Sequence, residues 1–294
     1  MRILITGVSG FVGRHLANRL LQQKEFVVAG TGRAAIRPEH LPAPVQYLPL
    51  DLLNPVAVLD VVTAFQPDIV IHSAAMSKPN DCEEQQTLCY AVNVQATQHV
   101  IDACTAINCR LLFMSTDFVF GDNGPFTEDD AYNAVNYYGQ SKVLAEGLVK
   151  NSGLLWSIVR TVLVYGAQLP GLNPTFPQWV WRNLQEGKTI RVFTDQYRTA
   201  TYVADLTEGI VSIIEQKATG VYHLCGEETF TPFDIAQLVA AHGAFDAQLL
   251  QPVTRAEFAE PARRPIRSTL HIAKAKSELG YAPRSLSQVL PLLF

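Results

Sequence analysis

The chain has 294 residues, of which 48% are hydrophobic and 17% charged, enough to bury a substantial core in one large domain or two modest ones. A net charge of −4, with no basic cluster larger than "RRPIR" at 263–267, argues against nucleic acid or another polyanion as partner. Five cysteines without a Cys-x-x-Cys pair, scattered histidines and no apolar run of membrane-spanning length argue against a disulfide framework, a metal cluster and a membrane span, and make the cytoplasm the expected compartment.

Short apolar runs alternate with helical patterns along the first half. "RILIT" (2–6) reads as a strand, and 11–23 as a helix with Phe11, Val12, Leu16 and Leu20 on one stripe. "FVVAG" (26–30) and "VQYLPLDL" (45–52) read as strands. Asn54 followed by Pro55 gives an N-cap and an N1 proline opening a helix to about Phe65. Then come a strand (68–75), a long helix (85–107), a strand (110–115), a helix (137–151) and a strand (156–161). Strands that are apolar throughout and separated by helices predict a doubly wound α/β domain built on a parallel sheet. After about Tyr165 the rhythm breaks at Pro170, Pro174 and Pro177, and it resumes with a helix near 205–216 and a strand at 221–225. The expected organisation is a dinucleotide-binding domain over 1–165, rejoined by about 200–225. Residues 166–199 and 226–294 then form a smaller C-terminal cap over the sheet's carboxyl edge.

Between the first strand and first helix, "ITGVSGFVG" (5–13) sets out Gly7, Gly10 and Gly13. Gly7 permits a tight turn, Gly10 lets a pyrophosphate approach the backbone, and Gly13 lets the helix pack on the strand. The N–H groups of the helix start at Phe11 and Val12 would meet the anion. The spacing is G-x-x-G-x-x-G, so its weight comes from its place between a strand and a helix. No acid lies between Gly30 and Pro38, where one would bind a ribose 2′-hydroxyl, whereas Arg33 and Arg37 do. A guanidinium suits a 2′-phosphate, which favours NADP(H) over NAD(H). Asp51, followed by Leu52, is placed to cap the adenine edge or to serve as a turn carboxylate.

The strand ending "FMSTD" carries Ser115, Thr116 and Asp117 to the sheet's carboxyl edge, and the next helix opens "YYGQSK" (137–142). Tyr138 and Lys142 are four apart, on one helical face, whereas Tyr137 and Lys142 are not. Tyr138 is thus the expected acid/base, with Lys142 as an ammonium lowering its pKa from about 10 or holding a cofactor ribose. A hydroxyl from Thr116 can orient a carbonyl. Tyr137 is expected in the pocket wall or beneath it. Asn93 is either a proton-relay residue or an ordinary helix-interior Asn.

Taken together, "TGVSGFVG", "HSAA", "VNVQAT", "STDFVFG" and "YYGQSK" resemble, in order, the motifs of extended short-chain dehydrogenases/reductases. "STDFVFGDNGPFTEDD", "DQYRTATYVADL" and "RRPIRSTL" bring the chain nearest to the dTDP-4-dehydrorhamnose reductase family. The resemblance implies Thr116, Tyr138 and Lys142 as the catalytic triad, and Gly7, Gly10 and Gly13 as the dinucleotide loop. It also implies Asp51, Ala74 and Ala75 on the adenosine side, with Leu52 a further cofactor-side candidate. Asn93 counts among the cofactor-side candidates, and Ser77, Asp117, Leu163, Arg198 and Arg264 among the substrate-side ones. Two departures stand out: Leu163 where the family often has tryptophan, and Arg198 where it commonly has glycine. Arg198 would reach a nucleotide diphosphate or make a domain-interface salt bridge, while Arg264 and Ser268 would face the substrate or fasten the cap. The implied activity is NADPH-dependent reduction of a keto group on a nucleotide-linked deoxysugar, by a monomer or a homodimer paired through helices 85–107 and 137–151. The alternatives are an NAD-dependent nucleotide-sugar epimerase or dehydratase, and a non-catalytic NADP-binding regulatory subunit.

Overall fold

Strand β1 (Arg2–Thr6) is buried from Ile3 onward on both faces, which requires helices on each side of its sheet. In the computed structural model, which describes residues 1–258 and 260–294, α1 (Phe11–Leu20) leads to β2 (Val27–Gly32) and β3 (Gln46–Pro49). Helix α2 (Pro55–Phe65) then leads to β4 (Ile69–His72). Short helices α3 (Pro79–Glu84) and α4 (Gln86–Tyr90) and a π-turn at Ala91–Gln95 precede α5 (Ala96–Ile107) and β5 (Arg110–Thr116). Next come α6 (Tyr137–Lys150), β6 (Trp156–Thr161) and β7 (Val164–Tyr165), then α7 (Phe176–Gln185), β8 (Ile190–Phe193) and β9 (Thr201–Tyr202). Helix α8 (Val203–Glu215) precedes β10 (Gly220–His223). The chain ends with α9 (Pro232–His242), β11 (Leu250–Val253), α10 (Ala273–Leu279) and α11 (Leu286–Val289).

The main sheet has seven parallel strands in the order β10-β6-β5-β4-β1-β2-β3. Leu16, Leu20, Ile210 and Ile214 from α1 and α8 fill one face. Val58, Val62, Val100, Ala145 and Val149 from α2, α5 and α6 fill the other. Each of these leucine, isoleucine and valine side chains contributes about 1.5–3 kcal/mol through burial. Strand order reverses between β1 and β4, so a crevice opens at their carboxyl ends, where doubly wound sheets bind ligands.

A third core, with Val180, Leu184, Ile190, Val192, Ile235, Val239 and Leu250, joins α7 and α9 to the parallel pair β8–β11 and forms the cap. The cap's sequence boundary differs from the expected 226–294. Leu270, Ile272, Ala275, Leu279 and Tyr281 pack into the sheet's own core, because α10 returns to lie against α8 and β10. The helix expected over 85–107 begins after its N-cap Gln85 and runs to Ile107, but it is interrupted by the π-turn, within which Asn93 is buried. Asn54 caps α2 as expected, its side chain accepting from Ala57 N–H. Among the described residues, no helix is long and apolar enough to cross a membrane.

Candidate active site

A single cavity of about 950 Å³ runs from the loop after β1, past the ends of β4 and β5, to the cap. At its first end Gly7 has φ +73°, and a Cβ there would lie 2.8 Å from the Cα of Ala74. A Cβ on Gly13 would fall 2.4 Å from the Gly7 carbonyl oxygen, so the start of α1 sits directly on the turn. Gly10 differs: its Cβ would meet only the Gly7 oxygen, at 3.3 Å, which leaves the space above the loop open. Gly10 caps α1 without a side chain, and the first turn contains no acid. The N–H groups of Phe11, Val12 and Gly13 therefore face the cavity as an anion-binding end, and the residues present fit a dinucleotide pyrophosphate.

His72 fixes the opposite wall. Its ring shares hydrogen bonds with Thr6 Oγ1 (2.7 Å) and Thr97 Oγ1 (3.1 Å), and Thr6 Oγ1 accepts from Ala74 N–H (3.2 Å). Burial, helped by the nearby Lys142 charge, pushes the His72 pKa down to about 3. The folded pKa thus lies below the unfolded value of about 6.5, so the ring's stabilising effect is full above that value and is lost as pH falls toward about 3. His72→Gln is expected to remove about 1 kcal/mol per pH unit from the slope of unfolding free energy between about pH 5 and 6. Urea titrations compared with the wild type check this. The difference is the readout, because buried Asp117 and Glu128, with raised pKa values, act in the opposite sense. An unchanged slope would mean that His72 titrates normally.

Arg33, Asp51, Leu52, Ala74 and Ala75 line the cavity beyond the glycine loop. Arg33 is exposed at the end of β2. Arg37 is withdrawn from any ligand role: its guanidinium donates to the carbonyls of Val45, Leu41 and Pro42. Asp51 does serve its turn, accepting from Leu53 N–H at 3.0 Å.

Helix α6 carries the reacting groups into place. Asn136 caps it, accepting from Gly139 N–H, and ties it to the cap region through Arg263 O. A Cβ on Gly139 would lie 2.0 Å from the Phe118 carbonyl oxygen, so only glycine lets α6 press against the turn following β5. That contact brings Tyr138 beside Thr116, and both line the cavity with Lys142. Tyr137 lies outside the cavity lining, packed with Met76, Cys82 and Cys89. Asn93 also lies behind the wall: it accepts from Met76 N–H and donates to Met76 O and Ser141 Oγ. Its place is therefore structural, pinning the segment after Ala75, and it is not among the residues that line the cavity.

The electrostatics correct one expectation. Burial raises the Tyr138 pKa well above 10, with the Thr116 hydroxyl opposing and the Asp117 charge adding to the rise. Lys142 does not offset this. Its Nζ donates to Met114 O (2.7 Å), lies 3.9 Å from the Phe113 ring centre, and burial pushes its own pKa down to about 7. Thr116 Oγ1 donates to Asp117 Oδ1 (3.0 Å), and Asp117 also accepts from Ser268 Oγ. Burial raises the Asp117 pKa against the pull of Arg198 and these two hydroxyls.

The lining also includes Ser77, Asp117, Leu163, Arg198 and Arg264. Leu163 has φ +35°, an uncommon backbone for leucine, and stays 38% exposed at the cavity. Arg198 makes no salt bridge among the described residues. It is a buried clamp whose Nη atoms donate to the carbonyls of Tyr197, Pro265 and Ile266. Arg264 pairs with Glu260 at 3.2 Å, and Ser268 faces Asp117. Sequence reasoning missed Arg14 and Gln196, which also line the cavity, and Gly139. Gly139 had a visible signal, a glycine in the first turn of a helix, whereas Gln196 had none.

The parallel sheet, glycine turn and Thr-Tyr-Lys constellation define an extended short-chain dehydrogenase/reductase fold. The RmlD substrate binding domain family matches residues 1–293, and the chain belongs to it. The structure of dTDP-4-dehydrorhamnose reductase from Bacillus anthracis in complex with NADP superposes with a TM-score of 0.82 at 28% identity, covering 99% of this chain and 97% of that one. UDP-glucuronic acid 4-epimerase from Bacillus cereus, in complex with UDP-glucuronic acid and NAD, gives 0.86 at 26%, with coverage of 99% and 97%. Methionine adenosyltransferase 2 subunit beta of Rattus norvegicus is 28% identical over 97% of this chain and 84% of its own length.

Proposed function

We propose that the protein reduces a keto group on a nucleotide-linked deoxysugar, taking NADPH in preference to NADH. The observation that carries this reading is one cavity joining an uncapped helix start to Thr116, Tyr138 and Lys142 and ending in polar cap residues. When bound, a reduced nicotinamide supplies the hydride that adds to the keto carbon. Tyr138, kept protonated at neutral pH by burial, gives its hydroxyl proton to the keto oxygen. On substrate binding Thr116 would turn its hydroxyl from Asp117 to the keto oxygen and so orient that oxygen beside the tyrosine hydroxyl. Lys142 is the residue that would hold the nicotinamide ribose. The experiment is to mix the protein with NADPH and dTDP-4-dehydrorhamnose and follow NADPH absorbance. Steady absorbance excludes that substrate, and steady absorbance across a panel of keto-sugar nucleotides sinks the reading.

The likeness to a methionine adenosyltransferase subunit favours a second reading, a cofactor-binding regulatory subunit. The presence of all three of Thr116, Tyr138 and Lys142 in the cavity weighs toward an enzyme. Against an epimerase that retains NAD, the test is whether the purified protein comes free of cofactor and prefers NADPH.

With Arg37 committed elsewhere, the NADP preference rests on Arg33. Arg33→Ala is expected to weaken NADPH binding about 10–100-fold, the scale of one charge-assisted phosphate contact, with NADH changed less than about threefold. Fluorescence titration of the two cofactors checks it, and equal losses for both would remove the 2′-phosphate role.

A further inference from the structure

We propose that Gln196 is a specificity-determining residue, reading a hydroxyl on the sugar ring of a nucleotide-linked hexose; this rests on the sugar-nucleotide reading above. Among the described residues the other buried amides each have at least one partner. Asn93 makes bonds through both ends, as does Asn136, and the Gln178 carbonyl closes the capping box of α7 with Thr175. Gln196 is only 7% exposed, lines the cavity with Asp117 and Arg198, and its Nε2 is buried with no hydrogen-bond partner among the described residues. Arg14 Nε, Thr269 Oγ1 and Tyr281 OH are also buried without a partner among the described residues, but Thr269 and Tyr281 lie off the cavity lining, and Gln196 is the one such carboxamide on it. As placed, its Nε2 is closed to the cavity, and a half-turn of the amide brings that donor to a bound ligand.

The backbone holds the side chain where it is. On one side Asp195 accepts from the backbone N–H and Nε of Arg255. On the other, Tyr197 N–H donates to Ile266 O (2.7 Å), and Arg198 and Phe230 exchange both backbone hydrogen bonds (2.8 and 2.9 Å). Gln196 thus sits between anchored residues and cannot withdraw from the wall. Its polar neighbours are already engaged. The Arg198 Nη atoms are held by carbonyls, Asp117 accepts from Thr116 and Ser268, and Arg264 donates to Ala262 O and Glu260.

A carboxamide offers a donor and an acceptor side by side, and a half-turn about its last torsion exchanges them. Its natural complement is a group that also both donates and accepts, which describes a sugar hydroxyl. A phosphate only accepts and is better met by guanidinium groups or the helix start. A buried amide that pairs with a hydroxyl rejects a ligand lacking one, because the amide is then left unpaired.

The test is calorimetry on the NADPH-loaded protein with dTDP-, UDP- and GDP-linked hexoses, each measured against its bare nucleoside diphosphate. For the sugar nucleotide that the wild type binds best, Gln196→Leu is expected to weaken binding about 10–100-fold, with the bare diphosphate within about twofold. Gln196→Glu, which keeps the shape and the acceptor but loses the donor, is expected to fall between the two. NADPH retention reports that each variant folds. Equal losses for sugar nucleotide and bare diphosphate, or no loss, overturn the proposal. So does a wild type that binds the diphosphate as tightly as its hexose conjugate. If the wild type binds no member of the panel, the sugar-nucleotide reading itself fails, and the proposal falls with it.

Discussion

Replacing Tyr138 with phenylalanine is expected to lower turnover of the keto-sugar by about 10²–10⁴-fold while changing NADPH affinity less than about threefold. The ring is buried against Phe118 and in contact with Cys82 and Cys89, so its packing survives loss of the hydroxyl. What disappears is the proton donor next to Thr116. Phenylalanine cannot replace that proton, and solvent is a poor substitute where the tyrosine is only 9% exposed. Single-turnover reduction measured beside cofactor binding separates the two effects. Wild-type turnover in the variant would place the acid elsewhere, with Asp117 the next group to test because burial raises its pKa. A parallel loss of NADPH binding would instead mean that Tyr138 holds the cofactor rather than transferring the proton.

Much of this arrangement is legible in the sequence, for identifiable reasons. Apolar runs such as "RILIT" and "FMST" announce strands buried on both faces, and Asn54–Pro55 announces its own helix start. The glycine spacing around Gly7 and Gly13 reflects contacts that leave no room for a Cβ, so it survives as a pattern. Other features depend on long-range contacts that local periodicity does not encode. The π-turn at Ala91–Gln95 accompanies the bonds of Asn93 to Met76, a residue on another segment. The return of α10 to the main sheet depends on Tyr222 and Leu224 lying beneath it. Arg33 and Arg37 look alike in the loop after β2, yet nearby carbonyls remove Arg37 from the ligand's reach. Spacing places Tyr138 and Lys142 on one face, but it says nothing of burial, which sets both of their pKa values.

Arg160→Met is expected to destabilise the fold by about 3–5 kcal/mol, because it leaves Glu146 charged and buried without its partner. Arg160 is 1% exposed and Glu146 fully buried, with Nη2 2.8 Å and Nε 3.0 Å from the carboxylate oxygens. Burial alone would raise the Glu146 pKa; the Arg160 guanidinium, with Ser115 and Tyr132 donating, brings it below the usual value instead. The pair's stabilising effect is therefore present above the unfolded carboxylate pKa and is lost as pH falls through the folded one. A fall in melting midpoint of roughly 5–8 °C would report the loss. The double variant Glu146→Leu with Arg160→Met should recover part of it by removing the stranded charge, but not all, since Ser115 and Tyr132 both donate to Glu146. The same pair reaches the chemistry. Ser115, held at 2.6 Å by Glu146, immediately precedes Thr116, and Lys142 stands one helical turn before Glu146 on α6. In the refolded double variant, turnover should therefore fall by more than NADPH affinity does. If both fall together, the network supports the fold as a whole; if turnover is untouched, Ser115 and Thr116 keep their places without it.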